Sequence, residues 1–180
     1  VCAPINRGAN TDPYQPIERE YQLTRRLLEV LLLCRHPVTI VTNGSLILRD
    51  LDLLRELASQ RLARVMISLT TLDDELKRTL EPRAAAPKAR LRAIRVLRDA
   101  GVPTGVLCSP MIPMINDSEL EHLLQAASDA GAQSAAYMML RLPLEVAPLF
   151  EQWLQAHYPH RAAHVLSLFR LSRRGALDAS

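Results

Sequence analysis

Short β-branched and apolar runs alternate along this chain with stretches whose apolar residues recur at helical spacing. The run Val38-Thr39-Ile40-Val41-Thr42 predicts a strand, and residues 51–62 predict a helix. Residues 64–69 predict the next strand, and Leu91, Ile94, Val96 and Leu97 supply an apolar helix face closed by Ala100-Gly101. The alternation continues with a strand at 104–108, a helix at 120–130 ending in Gly131, a strand at 135–140 and a helix at 149–157. Upstream, residues 2–5 read as a strand end, and residues 17–34 as one long helix carrying Leu23, Leu27, Leu28 and Leu31.

The pattern therefore repeats as about five strand–helix units, and its strands are apolar throughout, as expected of parallel strands covered on both faces. Successive right-handed units of this kind build either a doubly wound sheet or a barrel. No Gly-rich dinucleotide fingerprint follows any strand, which removes the main support for the doubly wound alternative. A complete eight-unit barrel takes about 250 residues, whereas this chain has 180. The expected fold is α/β, a partial parallel barrel forming one domain over residues 1–165 with a basic tail over 166–180. Val1 is not a methionine, and Val1-Cys2-Ala3-Pro4-Ile5 resembles the inside of a strand, so further chain is expected upstream.

Composition narrows the picture only modestly. Hydrophobic residues make up 48% of the chain, the formal net charge is +3 and the pI is about 9.0. That balance permits an anionic partner without demanding one. Most arginines lie on helical segments and read as solvated faces, and the Arg170, Arg173, Arg174 cluster reads as part of a frayed terminus. No apolar run is long enough to span a bilayer and no leader segment is visible, so the expected compartment is the cytoplasm. Cys2, Cys34 and Cys108 are far apart, with no metal-ligand spacing, and Cys34 and Cys108 read as small core residues. His157, His160 and His164 are spaced by three and four, but Pro159 interrupts the helix between the first two, so a metal site is not expected.

In parallel α/β folds, ligands bind beyond the C-terminal ends of the strands. The segments following the strands are rich in hydroxyl, amide and carboxyl groups: the loop from Asn6 to Pro16, Thr42-Asn43-Gly44-Ser45, Ser68 with Thr70 and Thr71, the loop from Ser109 to Asp117, and Arg141-Leu142-Pro143. Such a rim suits a ligand with ribose hydroxyls, an ammonium group and a carboxylate. It contains neither a Ser–His–Asp set nor an evident general acid–base pair. Thr71-Leu72-Asp73-Asp74 and Asn116 to Glu119 also read as helix caps.

Gly8-Ala9-Asn10-Thr11-Asp12-Pro13-Tyr14-Gln15-Pro16-Ile17-Glu18 resembles a signature of radical S-adenosylmethionine (SAM) proteins related to spore photoproduct lyase, often labelled DNA repair photolyases. Val41-Thr42-Asn43-Gly44-Ser45 with Leu48-Arg49-Asp50, Ile67 to Asp73, Glu81-Pro82-Arg83 with Arg90-Leu91, and Pro110 to Pro113 with Asn116-Asp117 resemble later segments of that family in collinear order. The resemblance implies a partial (β/α)6 barrel that binds SAM and generates a 5′-deoxyadenosyl radical, with a lyase or DNA-repair-like activity, a nucleic-acid substrate and an electron-donor protein as the partners. The alternative is a degenerate barrel that binds SAM without radical chemistry. By matching position, Thr11 and Asp12 would lie near the SAM amino group, Thr42, Asn43 and Ser68 near its carboxylate and ribose, and Ser109 and Ile112 beside the adenosyl moiety. Tyr14 is the candidate catalytic residue on the substrate side. The family's 4Fe-4S cluster is held by a CxxxCxxC triad, which this chain lacks, so the cluster ligands are expected outside it. Relatives commonly carry lysine at Asn43 and threonine at Ala9.

Overall fold

The computed structural model describes residues 2–143 and 145–177, with side chains through residue 169. In chain order the elements are β1 (Ile5–Arg7), α1 (Glu18–Tyr21), α2 (Leu23–Leu33), β2 (Val38–Thr42), α3 (Leu51–Ser59), β3 (Ala63–Ser68), α4 (Asp74–Leu80), α5 (Pro87–Asp99), β4 (Thr104–Met111), α6 (Leu120–Ala130), β5 (Ser134–Met139), α7 (Ala147–His157) and α8 (Pro159–Leu177). The five strands form one sheet in the order β1-β2-β3-β4-β5, every neighbouring pair parallel. The sheet does not close, and β1 and β5 are its edges.

One face of the sheet carries the main core. Val38, Ile40, Val65, Ile67, Val106 and Cys108 pack there against Leu28, Leu31, Leu54, Leu57, Ile94, Leu97 and Leu123 of the covering helices. The strands are not covered on both faces, as their apolar composition suggested. β2 and β3 alternate between buried and partly open positions, with Thr39, Val41, Met66 and Ser68 half-buried and Arg64 exposed. All of β5 is exposed. In an open sheet the second face has no facing layer, so strand periodicity reappears in the burial even where both side-chain sets are apolar.

Two local departures from the sequence reading have clear causes. The helix expected over 17–34 breaks at Gln22, whose backbone is left-handed (φ 51, ψ 35). The buried Glu18 carboxylate turns back to accept the main-chain N–H of Thr24 at 3.0 Å, satisfying a donor in the first turn of α2 that has no intrahelical partner. Cys34, expected in the core, is exposed because it sits just past the end of α2, beyond the buried Leu28–Leu31 stripe. A second apolar cluster joins Ile112 and Leu142 to Phe150, Leu154, Ala162 and Val165, so α7 and α8 roof the strand ends beside β4. Trp153 fastens that roof by donating its indole N–H to the Thr79 carbonyl at 3.1 Å. The backbone of α8 is helical into the basic terminus, but the side chains of Arg170, Arg173 and Arg174 lie outside the described residues.

Candidate functional site

The loop after β1 is tied to the end of β2 by one carboxylate. Asp12 accepts the main-chain N–H of Tyr14 at 2.7 Å, the Thr42 hydroxyl at 2.7 Å and the Asn43 main-chain N–H at 2.8 Å. Gly8 makes the crossing feasible: its φ is +97, and a Cβ there would run into the Val41 carbonyl oxygen. Behind this clamp lies a buried ionic group. Asp50 has no exposed surface and is held by Arg49 (2.9 Å to each carboxylate oxygen) and by Arg25 at 3.3 Å. Arg49 also reaches Glu18, and the Thr24 hydroxyl donates to the Pro13 carbonyl at 2.6 Å. The long first loop is thereby fixed to both the second loop and α2.

The other half of the rim is braced in the same manner. Arg90, with 1% of its surface exposed, donates to the Ala85 carbonyl at 2.8 Å, the Ser68 carbonyl at 3.0 Å and the Glu81 carboxylate at 2.6 Å. Glu81 also accepts the Thr70 hydroxyl at 2.7 Å. The fully buried Asn116 accepts from the Ile112 N–H at 2.6 Å and donates to the carbonyls of Thr70 and Pro110 at 2.8 and 3.1 Å. Glu119 accepts from the Thr71 hydroxyl and the Leu72 N–H, so Asn116 and Glu119 tie the third loop to the fourth and do not cap the following helix, as the sequence suggested. Asp73 does cap α4, accepting from the N–H groups of Glu75 and Leu76. Arg90, expected on a solvated face, is the second departure among these residues. Its helical spacing is ordinary, and only the fold shows that its end of α5 abuts the end of β3.

The candidate cofactor residues separate by face. Parallel register carries a common face across neighbouring strands, and Thr42 lies on the buried side with Ile67. Asn43, one residue on, and Ser68 and Ser109 in alternation with buried Ile67 and Cys108, fall on the half-open side at the strand ends. Ser68 donates to the Ser109 carbonyl at 3.4 Å, so these two serines adjoin. Thr11 is exposed and lines a cleft of about 460 Å³ along the first loop. Asp12 and Asn43 line a larger cleft of about 710 Å³ over the strand ends. Ile112 is fully buried in the cluster with α7 and α8, its N–H bonded to Asn116 and its carbonyl accepting from the N–H groups of Ile115 and Asn116, so it supports the fourth loop from within. Tyr14, 5% exposed, belongs to the main core. Burial, reinforced by the nearby Asp50 carboxylate, pushes its phenol well above the usual range.

The metal question turns on the thiols. Cys2 and Cys34 are exposed, and Cys108 is buried on the helix-covered face of β4. Burial pushes the Cys108 thiol up to about 11. Among the described residues no three His, Cys, Asp or Glu side chains come together as a metal-binding group. A three-thiolate iron–sulfur site does not fit these residues.

The family model for the radical SAM superfamily matches residues 8–127, which span the first loop through α6. The chain belongs to the radical SAM superfamily. An uncharacterised protein of Mycobacterium tuberculosis is 35% identical over 165 residues, covering 91% of this chain and 48% of that protein. Uncharacterised proteins of Acidianus two-tailed virus and Methanocaldococcus jannaschii are 34% and 28% identical over 141 and 155 residues, covering 76% and 86% of this chain. This radical SAM chain thus spans about half the length of the curated relatives it matches. A solved structure of a spore photoproduct lyase mutant with bound AdoMet and dinucleoside spore photoproduct superposes with a TM-score of 0.63 at 18% identity, covering 88% of this chain and 46% of that one. Its likeness establishes the shared fold, a five-stranded portion of a TIM-like barrel. No helix among the described residues is long and apolar enough to cross a membrane.

Proposed function

We propose that this chain is the SAM-binding part of a cytoplasmic radical SAM enzyme. The reading is supported by the adjoining half-buried Ser68 and Ser109 of β3 and β4, and by the half-buried Asn43 just past β2, which lines the cleft over the strand ends. Side-chain amide and hydroxyl groups there suit the carboxylate and ribose of SAM. Asp12 and Thr42 serve by fixing the loops on which Thr11 and Asn43 stand, because their own polar atoms are committed to each other and to main-chain N–H groups. Tyr14, the candidate catalytic residue of the resemblance, has its hydroxyl buried beside Asp50, so in this reading it supports the second loop at Gly44 with its backbone and Cβ. Bound SAM, with one electron delivered through a 4Fe-4S cluster, supplies hydrogen-abstracting radical chemistry. The described residues provide no thiolate triad, so in this reading the chain contributes the cofactor pocket and not the cluster ligands.

The finer reading is a lyase or DNA-repair-like activity on a nucleic acid, with the electron drawn from a donor protein. Its support is the fold likeness to the lyase with its bound dinucleoside substrate. The test is equilibrium dialysis of labelled SAM against the full-length protein, with iron and sulfide assayed after anaerobic reconstitution. Saturable SAM binding that weakens in Asn43→Ala and Ser68→Val supports the pocket. Binding of SAM without any cluster would support a degenerate SAM-binding barrel instead. No SAM binding with a cluster present would overturn the reading.

A further inference from the structure

The Glu81-Pro82-Arg83 segment splits into an inward anchor and an outward arm. Glu81 is clamped by buried Arg90 and by Thr70, and Arg90 also holds the Ala85 carbonyl. The exposed Arg83 between these fixed points lines the cleft of about 710 Å³ over the strand ends. Arg19, from α1, lines the same cleft from the first loop. Both arginines are exposed, and neither guanidinium group has an ion pair or side-chain hydrogen bond among the described residues, so their donors are available to a ligand in the cleft that the two residues line. Gln15, Asn43 and Ser45 add neutral polar groups. The one carboxylate there, Asp12, has its oxygens taken by Tyr14, Thr42 and Asn43.

We infer that Arg19 and Arg83 form an anion subsite that anchors a phosphate group of the substrate. Guanidinium forks match phosphate oxygens bidentately. SAM carries one carboxylate, which the proposed reading gives to Asn43 and Ser68, and is net cationic through its ammonium and sulfonium, so a second pair of cations at Arg19 and Arg83 suits an anionic group of the other reactant better. The location supports this choice: Asn43, which the proposed reading gives to the cofactor, lines the same cleft. A second arginine pair, Arg61 and Arg64, lines a cleft of about 400 Å³ at the N-terminal ends of the strands, the end where parallel α/β folds do not bind substrates. The inference rests on the proposed SAM-binding reading and names its substrate chemistry as a phosphate ester, carried by a nucleic acid or by a small phosphorylated molecule.

The test measures binding of a fluorescent single-stranded oligonucleotide, and competition by a mononucleotide and by inorganic phosphate, in the full-length protein across a salt series. Arg19→Gln with Arg83→Gln is expected to weaken phosphate-ligand binding at least about tenfold and to lower the salt slope by about 0.7 for each arginine that neutralises a phosphate. Arg61→Gln with Arg64→Gln removes the same charge and is expected to leave both unchanged. Competition by mononucleotide at concentrations comparable to oligonucleotide identifies a small phosphorylated substrate, and oligonucleotide preference identifies a nucleic acid. Equal loss in both double variants, or no loss in the first, would overturn the subsite. SAM dialysis on the same samples separates the two claims. Retained SAM binding with no phosphate effect sinks the subsite alone, loss of SAM affinity in Arg83→Gln reassigns the arginine to the cofactor, and absent SAM binding in the wild type sinks the parent reading.

Discussion

The Asp12 carboxylate accepts the Thr42 hydroxyl at 2.7 Å, and the same hydroxyl oxygen accepts the Gly44 N–H at 3.0 Å. One side-chain pair thus sets the distance between the first and second rim loops. Replacing Thr42 with Val keeps the shape and removes both bonds. The expected cost is about 1–3 kcal/mol, because Asp12 and the Gly44 N–H each lose a partner in a part-buried site. Urea unfolding of the variant checks this, and an unchanged midpoint would show that the clamp is dispensable.

Arg25 bridges two aspartates of opposite exposure, Asp50 with none of its side chain exposed and Asp52 with 60%. Removing the buried partner leaves Arg49 and Arg25 facing an empty site, so Asp50→Ala is expected to cost about 3–5 kcal/mol. Asp52→Asn is expected to cost at most about 1 kcal/mol, since solvent screens the pair. Equal losses in a denaturant series would contradict this division of roles.

The same pair has a pH signature. The hydrogen bond from Arg25 holds the Asp52 carboxyl down at about 2 against its ordinary 3.8. A carboxyl lowered in the folded state contributes stability above its unfolded value and loses it as the pH falls through its folded value. The difference in stability between wild type and Asp52→Asn should therefore be present at pH 5 and fade between about pH 4 and pH 2. A difference that grows on acidification would refute the assignment.

Thiol reactivity gives an independent check of the sheet. Iodoacetamide at pH 8 should label Cys34, which is exposed, and spare Cys108, which is fully buried with its thiol pushed up to about 11. Peptide mapping should find the Cys108 adduct only after unfolding. Early labelling of Cys108 would place β4 elsewhere.

Arg90→Met should release the segment carrying Arg83, because three bonds to Ala85, Ser68 and Glu81 vanish together. Limited trypsin digestion is the readout, with cleavage after Arg83 expected to accelerate relative to wild type. Resistance equal to wild type would mean the segment is held by other contacts.

Strand–helix alternation, the parallel sheet and the rim residues were all legible in the chain, because β-branched runs, helical apolar spacing and polar strand ends are local signals. Val38–Thr42 and Leu120–Ala130 fall where the pattern places them. The resemblance along residues 8–18 likewise needs no fold. Tertiary structure alone decided which rim residues hold the rim together and which stay on the half-open face. Asp12 and Thr42 turned toward each other, Arg90 and Asn116 turned inward, and Asn43, Ser68 and Ser109 stayed on the half-open face. A single residue's position relative to the sheet depends on register and on the neighbouring strand. Buried polar groups choose partners 30 or 46 residues away in sequence, as Thr42 does with Asp12 and Asn116 with Thr70, and no local periodicity encodes those distances.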